Sequence, residues 1–172
     1  MENRIELFRG DITKLNTDAI VNAANNNLLG GGGVDGAIHR AAGKELLEEC
    51  RLLNGCATGD AKITKAYKLP SKFVIHTVGP VWSGREDDAQ LLKSCYIRSL
   101  EIAAENGIKT IAFPNISTGV YHFPKEEAGK IAAAAVKSFF ENNKTIEKVI
   151  FVVFDDENFQ IYKRLLRLNF NE

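Results

Sequence analysis

Asn25 and Asp35 flank four successive glycines in the stretch Asn22-Ala-Ala-Asn25-Asn-Asn-Leu-Leu29-Gly30-Gly31-Gly32-Gly33-Val34-Asp35-Gly36-Ala37-Ile38-His39. Glycine loses more conformational freedom on folding than any other residue, so four in a row mark a backbone that passes close to something or adopts positive φ. A helical pattern follows directly, and the free N–H groups at a helix start form a natural anion site. A second loop, Pro114-Asn-Ile-Ser117-Thr118-Gly119-Val120-Tyr121-His122-Phe-Pro124, offers successive N–H groups and two hydroxyls ahead of another helix. It too has the form of a phosphate cradle. One such loop alone reads most simply as a turn with a capping Ser or Thr. Two of them, both at strand carboxyl ends, favour a diphosphate ligand. Gly10-Asp11-Ile12-Thr13 closes the first strand. Asp11 there can cap a short helical turn, or accept a hydrogen bond from the exocyclic amine of a base, and both readings stand.

Gly31-x-Gly33-x-x-Gly36 matches the dinucleotide fingerprint in form only. That fingerprint needs glycine directly after the strand and an acidic residue at the end of a following one. Here six residues, 24–29, precede Gly30, and no acidic residue is so placed. No Gly-Lys-Ser/Thr follows, so this is not a P-loop. A nicotinamide-dependent dehydrogenase is a distant reading.

The elements that must position these loops are legible from periodicity. Residues 5–8, 19–23, 61–64, 73–78, 110–113 and 149–154 read as strands. The last is a continuous apolar run, as in a strand covered on both faces. Residues 37–50 read as a helix broken at Gly43, and 87–105 as a second. Residues 125–140 form the clearest helix, with Ala128, Ile131, Ala132, Ala135, Val136 and Phe139 on one face. Asp155 or Asp156 caps a final helix ending near Leu168. Strands alternating with helices predict a three-layer α/β/α sandwich with a mixed, mostly parallel sheet. In such folds ligands bind at the carboxyl ends of the strands.

The length of 172 residues suits one domain, expected over 1–172. Hydrophobic residues at 45% and charged residues at 26% exclude a disordered chain. Lys plus Arg number 22 and Asp plus Glu number 22, so the net charge is zero. That speaks against extended phosphate contacts along RNA or poly(ADP-ribose), and any bound anion must be held by local geometry. Cys50, Cys56 and Cys95 fit no zinc pattern and read as buried thiols of a reducing cytosol. The N-terminal residues are polar, and no apolar run approaches a membrane span. The chain is therefore expected in the cytoplasm, away from membranes.

Together these segments resemble the macro domain family and, within it, the MacroD-type ADP-ribose hydrolases. The resemblance rests on Gly10-Asp11-Ile12-Thr13, Asp18-Ala-Ile-Val-Asn-Ala-Ala-Asn25, the glycine motif from Leu28 to His39, Ile75-His-Thr-Val-Gly-Pro-Val-Trp82 and Ile116-Ser-Thr-Gly-Val-Tyr121, in the family's order. It implies that Asp11 holds an adenine amine and that the Ile12 backbone faces the adenine ring. Ala23, Gly31, Gly32, Gly33 and Val34 would line the path to the distal ribose. Ser117, Thr118, Gly119, Val120 and Tyr121 would wrap the diphosphate, with Tyr121 packing by that ribose. Asn25 would hydrogen-bond the ribose hydroxyls, and Asp35 would position or activate a water. Asn25 and Asp35 are thus the catalytic candidates.

The implied reaction is hydrolysis of the ester between the distal ribose and an acidic protein side chain, or acetate in O-acetyl-ADP-ribose. A carboxylate can orient the attacking water, with the substrate's phosphate as a second acceptor of its proton. Remote binding of the diphosphate would position the reacting atoms. No metal or cofactor is called for, since His39, His76 and His122 are scattered without ligand spacing. Expected partners are ADP-ribose, mono-ADP-ribosylated proteins and O-acetyl-ADP-ribose, with nucleic acid only as an ADP-ribosylated substrate, and the chain is expected to act as a monomer. A reader that binds ADP-ribose without cleaving it is the alternative. Family members often carry glycine after the Tyr121 position, where this chain has His122. His39, four residues after Asp35, shares its helix face and reads either as a partner of Asp35 or as a core-edge histidine. Trp82 reads as core or as a stacking platform.

Overall fold

The structure, a computed structural model, describes residues 4–170. Of the domain expected over 1–172, residues 1–3 and 171–172 lie outside the described residues. The elements run β1 (Ile5–Arg9), β2 (Ala19–Ala23), α1 (Gly33–Ala42), α2 (Lys44–Leu52), β3 (Ala61–Lys65), β4 (Phe73–Thr77), α3 (Glu86–Glu105), β5 (Thr110–Phe113), α4 (Lys125–Asn142), β6 (Lys148–Val153) and α5 (Asp156–Phe170), with a 3-10 turn at Ile12–Lys14. The sheet order is β1-β6-β5-β2-β4-β3. Every pairing is parallel except the edge strand β3, which runs antiparallel to β4.

Successive side chains of a strand point to opposite faces, and this sorts the core into two sides. Val21, Ile75, Ile111, Phe113, Val149 and Phe151 pack against α3, α4 and α5 through Leu92, Tyr96, Leu100, Ala132, Val136 and Tyr162. Ile20, Val74, Ala112 and Val152 pack against α1 and α2 through Ile38, Leu46 and Cys50. The continuous apolar run of β6 is therefore buried from both sides. The result is the three-layer α/β/α sandwich expected from the alternation of elements.

Two details bear on the site. α1 begins at Gly33 rather than at residue 37. The apolar periodicity starts only at Ala37, whereas the turn before it is built of glycines, Val34 and Asp35. Asp35 thus lies in the first helical turn. The break at Gly43 falls where the pattern placed it: its φ of 92° is open to glycine, and its N–H closes α1 on the His39 carbonyl at 3.1 Å. Asp155 caps α5 by accepting from the Asn158 N–H at 2.8 Å. At the opposite end of the strands, Asp18 ties their starts together. Its Oδ2 accepts from the N–H groups of Lys109 and Thr110 at 2.9 and 3.2 Å, and its carbonyl from Lys72 and Phe73. The amino ends of β2, β4 and β5 are held together by these bonds.

Candidate active site

The carboxyl ends of β1, β2, β4, β5 and β6 open into one cleft of about 760 Å³, within the range of small-molecule sites. Every residue assigned to the site from sequence lines it: Asp11, Ile12, Ala23, Asn25, Gly31, Gly32, Gly33, Val34, Asp35, Ser117, Thr118, Gly119, Val120 and Tyr121. Sequence reasoning missed Gly10, Ala24, Ala37, Gly79, Pro114, Asn115, Ile116, Val152, Val153 and Phe154, which line it too. The rule that places ligands at strand ends could have found the last three, since they close β6. Trp82 packs on Phe123, ring centroids 4.9 Å apart, and is a core residue rather than a cleft wall.

The β5–α4 loop is a cradle of donors. Its fold is set by three backbone bonds: His122 N–H to the Gly119 carbonyl, Phe123 N–H to the Ser117 carbonyl, and Trp82 N–H to the Tyr121 carbonyl, at 2.9, 2.9 and 2.8 Å. Residues 116–117 form a hydrogen-bonded turn, and among the described residues the N–H groups of Ser117, Gly119, Val120 and Tyr121 find no acceptor in hydrogen-bond geometry. Backbone donors left unpaired at a cleft call for an outside acceptor. Ser117 sits at φ 68°, and its hydroxyl turns inward against Gly79, so it is the backbone of this residue that faces the cleft. His122 also has positive φ, 62°, but its side chain is exposed and stays out of the cleft. The cradle is not narrowed by it. Its backbone conformation is the physical reason glycine suits this position.

A second set of donors comes from α1. Gly32 precedes the helix in extended conformation without a side-chain cap, so the N–H groups of Gly33, Val34 and Asp35 have no carbonyl within the helix to meet. A Cβ on Gly36 would lie 2.5 Å from the Gly31 carbonyl oxygen, so only glycine lets the helix sit this close to the glycine loop. Among the described residues lining the cleft there is no lysine, arginine or histidine. An anion bound against this wall meets N–H groups, hydroxyls and amides rather than cationic side chains.

Asp11 does cap the 3-10 turn: its Oδ1 accepts from the Thr13 N–H at 2.9 Å and the Thr13 hydroxyl at 2.7 Å. The Thr13 hydroxyl, opposed by partial burial and aided by the Thr13 N–H and Lys14, lowers the Asp11 pKa, keeping the carboxylate charged. Both bonds use one oxygen, and the residue still lines the cleft. Asn25 holds the glycine loop in shape, its Nδ2 donating to the Gly30 carbonyl at 2.9 Å and its Oδ1 accepting from Leu28 N–H at 3.2 Å.

Asp35 is the buried carboxylate of the site. Its Oδ1 accepts from Asn22 Nδ2 at 2.8 Å. Its Oδ2 faces Gly31, where a Cβ would stand 3.1 Å away. His39 Nε2 lies 3.5 Å from Oδ1, in ion-pair range but outside hydrogen-bond geometry, so the shared helix face is real. Behind Asn22 stands His76, whose Nδ1 is 3.1 Å from Asn22 Nδ2 and whose Nε2 is 2.9 Å from Thr64 Oγ1. Burial, and secondarily the nearby His39, push the His76 pKa down to about 3, so the ring is neutral. Neither Asn22 nor His76 was singled out by sequence. Among the described residues no group of three or more metal-ligating side chains comes together.

A three-layer sandwich whose strand ends carry two backbone anion cradles and one buried carboxylate defines a nucleotide-binding α/β class. The sequence matches the Macro domain family over residues 21–132. It is 57% identical over 166 residues to the ADP-ribose glycohydrolase MACROD2 of Xenopus laevis, covering 95% of this chain and 40% of that one. It is 54% identical over 168 residues to the O-acetyl-ADP-ribose deacetylase 1 of Pantoea vagans, covering 95% and 98%. A mutant macrodomain of Oceanobacillus iheyensis with ADPR superposes with a TM-score of 0.94 at 42% identity, over 99% of this chain and 96% of that one. The chain belongs to the macro domain family.

Proposed function

We propose that this protein is a hydrolase that binds ADP-ribose in the cleft and cleaves the ester joining its distal ribose to an acidic protein side chain, and that it also deacetylates O-acetyl-ADP-ribose. One relative, 57% identical, is named an ADP-ribose glycohydrolase and another, 54% identical, an O-acetyl-ADP-ribose deacetylase, and a structural neighbour holds ADPR. The observation that carries the reading is the pairing of a loop of N–H groups at 117–121, most of them unpaired, with a buried carboxylate in one cleft. The diphosphate accepts from the 117–121 backbone and from the start of α1. Asp11 takes the adenine amine at one end. Phe154, largely exposed at the end of β6, offers a flat apolar face at the cleft wall.

At the other end the distal ribose lies by Gly31, Tyr121, Asn25 and Asp35. The Oδ2 of Asp35, on the Gly31 side, orients a water toward the ester carbonyl. That water adds to the carbonyl carbon, the bond to the ribose oxygen breaks, and the ribose leaves as the alcohol. Asp35 or the substrate's phosphate takes the water's proton and returns it to the departing ribose oxygen. The remote diphosphate contacts hold the ester in place.

Several coarser features support the setting. The three cysteines are free and buried, as suits the reducing cytoplasm. Among the described residues no helix is long and apolar enough to cross a membrane. We take residues 1–172 to form one domain that works as a monomer. The test is release of ADP-ribose from a carboxylate-linked mono-ADP-ribosylated protein by wild type and Asp35→Ala. We expect release by wild type and at least 100-fold less by the variant, with calorimetric ADP-ribose affinity retained. Absence of release by wild type that still binds ADP-ribose would make the protein a reader.

A further inference from the structure

We infer that Asn22, oriented by His76, is the positioning residue that fixes which face of Asp35 meets the water. The inference rests on the proposed role of Asp35. Asn22 is wholly buried, on the fourth residue of β2, and its strand register pairs it with His76 of β4. Strand alternation turns both toward α1, the helix that carries Asp35.

Hydrogen-bond directions along this chain of groups are forced from one end. The Asp35 carboxylate only accepts, so the group 2.8 Å from Oδ1 must be the amide NH₂ of Asn22. The second hydrogen of that NH₂ faces His76 Nδ1 at 3.1 Å, so Nδ1 must accept too. In a neutral imidazole the proton then sits on Nε2, which donates to Thr64 Oγ1 at 2.9 Å. The Thr64 hydroxyl passes its own hydrogen to the Lys65 carbonyl at 3.0 Å. Asn22 Oδ1 is buried and has no hydrogen-bond partner, so nothing on that side sets the amide's orientation. Two acceptors, Asp35 and His76, set it.

The consequence falls on Asp35. With Oδ1 bound to Asn22, the carboxylate plane is fixed and Oδ2 is left toward Gly31 and the cleft. A neutral donor fixes the group without a fixed counter-charge beside it. Substrate binding does not involve Asn22, which is absent from the cleft wall. Loss of the device therefore acts on turnover and spares affinity.

The experiment uses the full chain and five proteins: wild type, Asp35→Ala, Asn22→Asp, His76→Asn and His76→Leu. Each is measured for kcat and KM of ADP-ribose release, calorimetric ADP-ribose Kd and melting temperature. Asn22→Asp keeps shape but puts an acceptor against Asp35; kcat should fall at least 30-fold with Kd within threefold of wild type. His76→Asn retains an acceptor near the Nδ1 position and should keep at least one third of wild-type kcat. His76→Leu has none and should fall at least tenfold. A merely structural role would lower the melting temperature of both His76 variants and leave their kcat alike. Should Asn22→Asp fail to fold, the two His76 variants decide, and equal kcat in them overturns the inference. Full kcat in Asn22→Asp overturns it as well, provided Asp35→Ala is inactive. Wild-type turnover by Asp35→Ala instead overturns the role of Asp35 itself, and the inference with it.

Discussion

Gly79 and Ser117 share a space that admits only one side chain. A Cβ on Gly79 would stand 2.1 Å from Ser117 Oγ and 2.7 Å from Ile116 Cγ2. The segment after β4 therefore backs directly onto the donor loop after β5, and the absence of a side chain at 79 sets the height of that loop in the cleft. Gly79 is not at positive φ, so a substitution there costs sterically and not through its own backbone. Gly79→Ala should push 116–118 outward, misalign the row of N–H groups and weaken ADP-ribose binding at least tenfold, while far-ultraviolet circular dichroism stays that of wild type. Calorimetry checks it. Unchanged affinity would show that the 117–121 backbone does not grip the ligand.

How the diphosphate is held predicts how salt acts on it. A site built of lysines and arginines weakens steeply as salt screens its charges. Here the described cleft wall carries no cationic side chain, and its two carboxylates, Asp11 and Asp35, repel the ligand. Salt finds no cation–anion attraction in this wall to screen, and it weakens the repulsion. The Kd for ADP-ribose should change less than threefold between 50 and 500 mM sodium chloride, at fixed pH. A tenfold weakening over that range would mean that cations outside the cleft wall carry the binding.

The glycine run was legible because its residues are costly elsewhere in a fold, and the Ser117 loop only because it came as a second such loop, while Asp11 stayed open between a cap and a base contact. Four glycines spend conformational freedom that packing never returns. The sandwich was legible because α4 keeps its period across five turns and β6 is apolar throughout. The start of α1 was hidden, because glycines and Asp35 carry no apolar period. The Asn22–His76 pair was hidden for another reason. Asn22 lies inside an otherwise apolar strand, and its partner is 54 positions away in the chain. Only the β2–β4 register brings them together. Gly79 was quoted within the family motif, but its need for a missing side chain depends on Ser117, on a loop of another strand.

His122 sits in the left-handed region, at a φ of 62° that suits glycine. The left-handed region costs an L-residue about 1–2 kcal/mol, while glycine gives back about 0.5–1 kcal/mol in chain freedom. His122→Gly should therefore raise stability, by about 1 kcal/mol at most, in urea unfolding. Because the imidazole is exposed and off the cleft wall, turnover and ADP-ribose affinity should stay within twofold. A tenfold change in either would place the imidazole on the ligand.

His76 makes stability depend on pH in a direction that can be worked out. Burial, then His39, hold its folded pKa to about 3, against about 6.5 in the unfolded chain. Above pH 6.5 the ring is neutral in both states and its contribution is complete. Below that the unfolded chain takes up a proton that the folded protein refuses, so stability falls as pH drops from 6.5 toward 3, by up to about 1.4 kcal/mol per pH unit. The carboxylates lowered in the folded protein, Asp11, Asp18, Asp60 and Asp88, lose their contributions at more acidic pH, and they are common to wild type and His76→Asn. Urea unfolding of both proteins from pH 7 to 4.5 isolates the histidine. The stability difference in favour of wild type should shrink by about 1 kcal/mol per unit between pH 6 and 4.5, because only wild type carries the buried imidazole. A difference that stays constant over that interval would mean that the folded ring takes up a proton as readily as the unfolded one, and that burial does not hold His76 neutral.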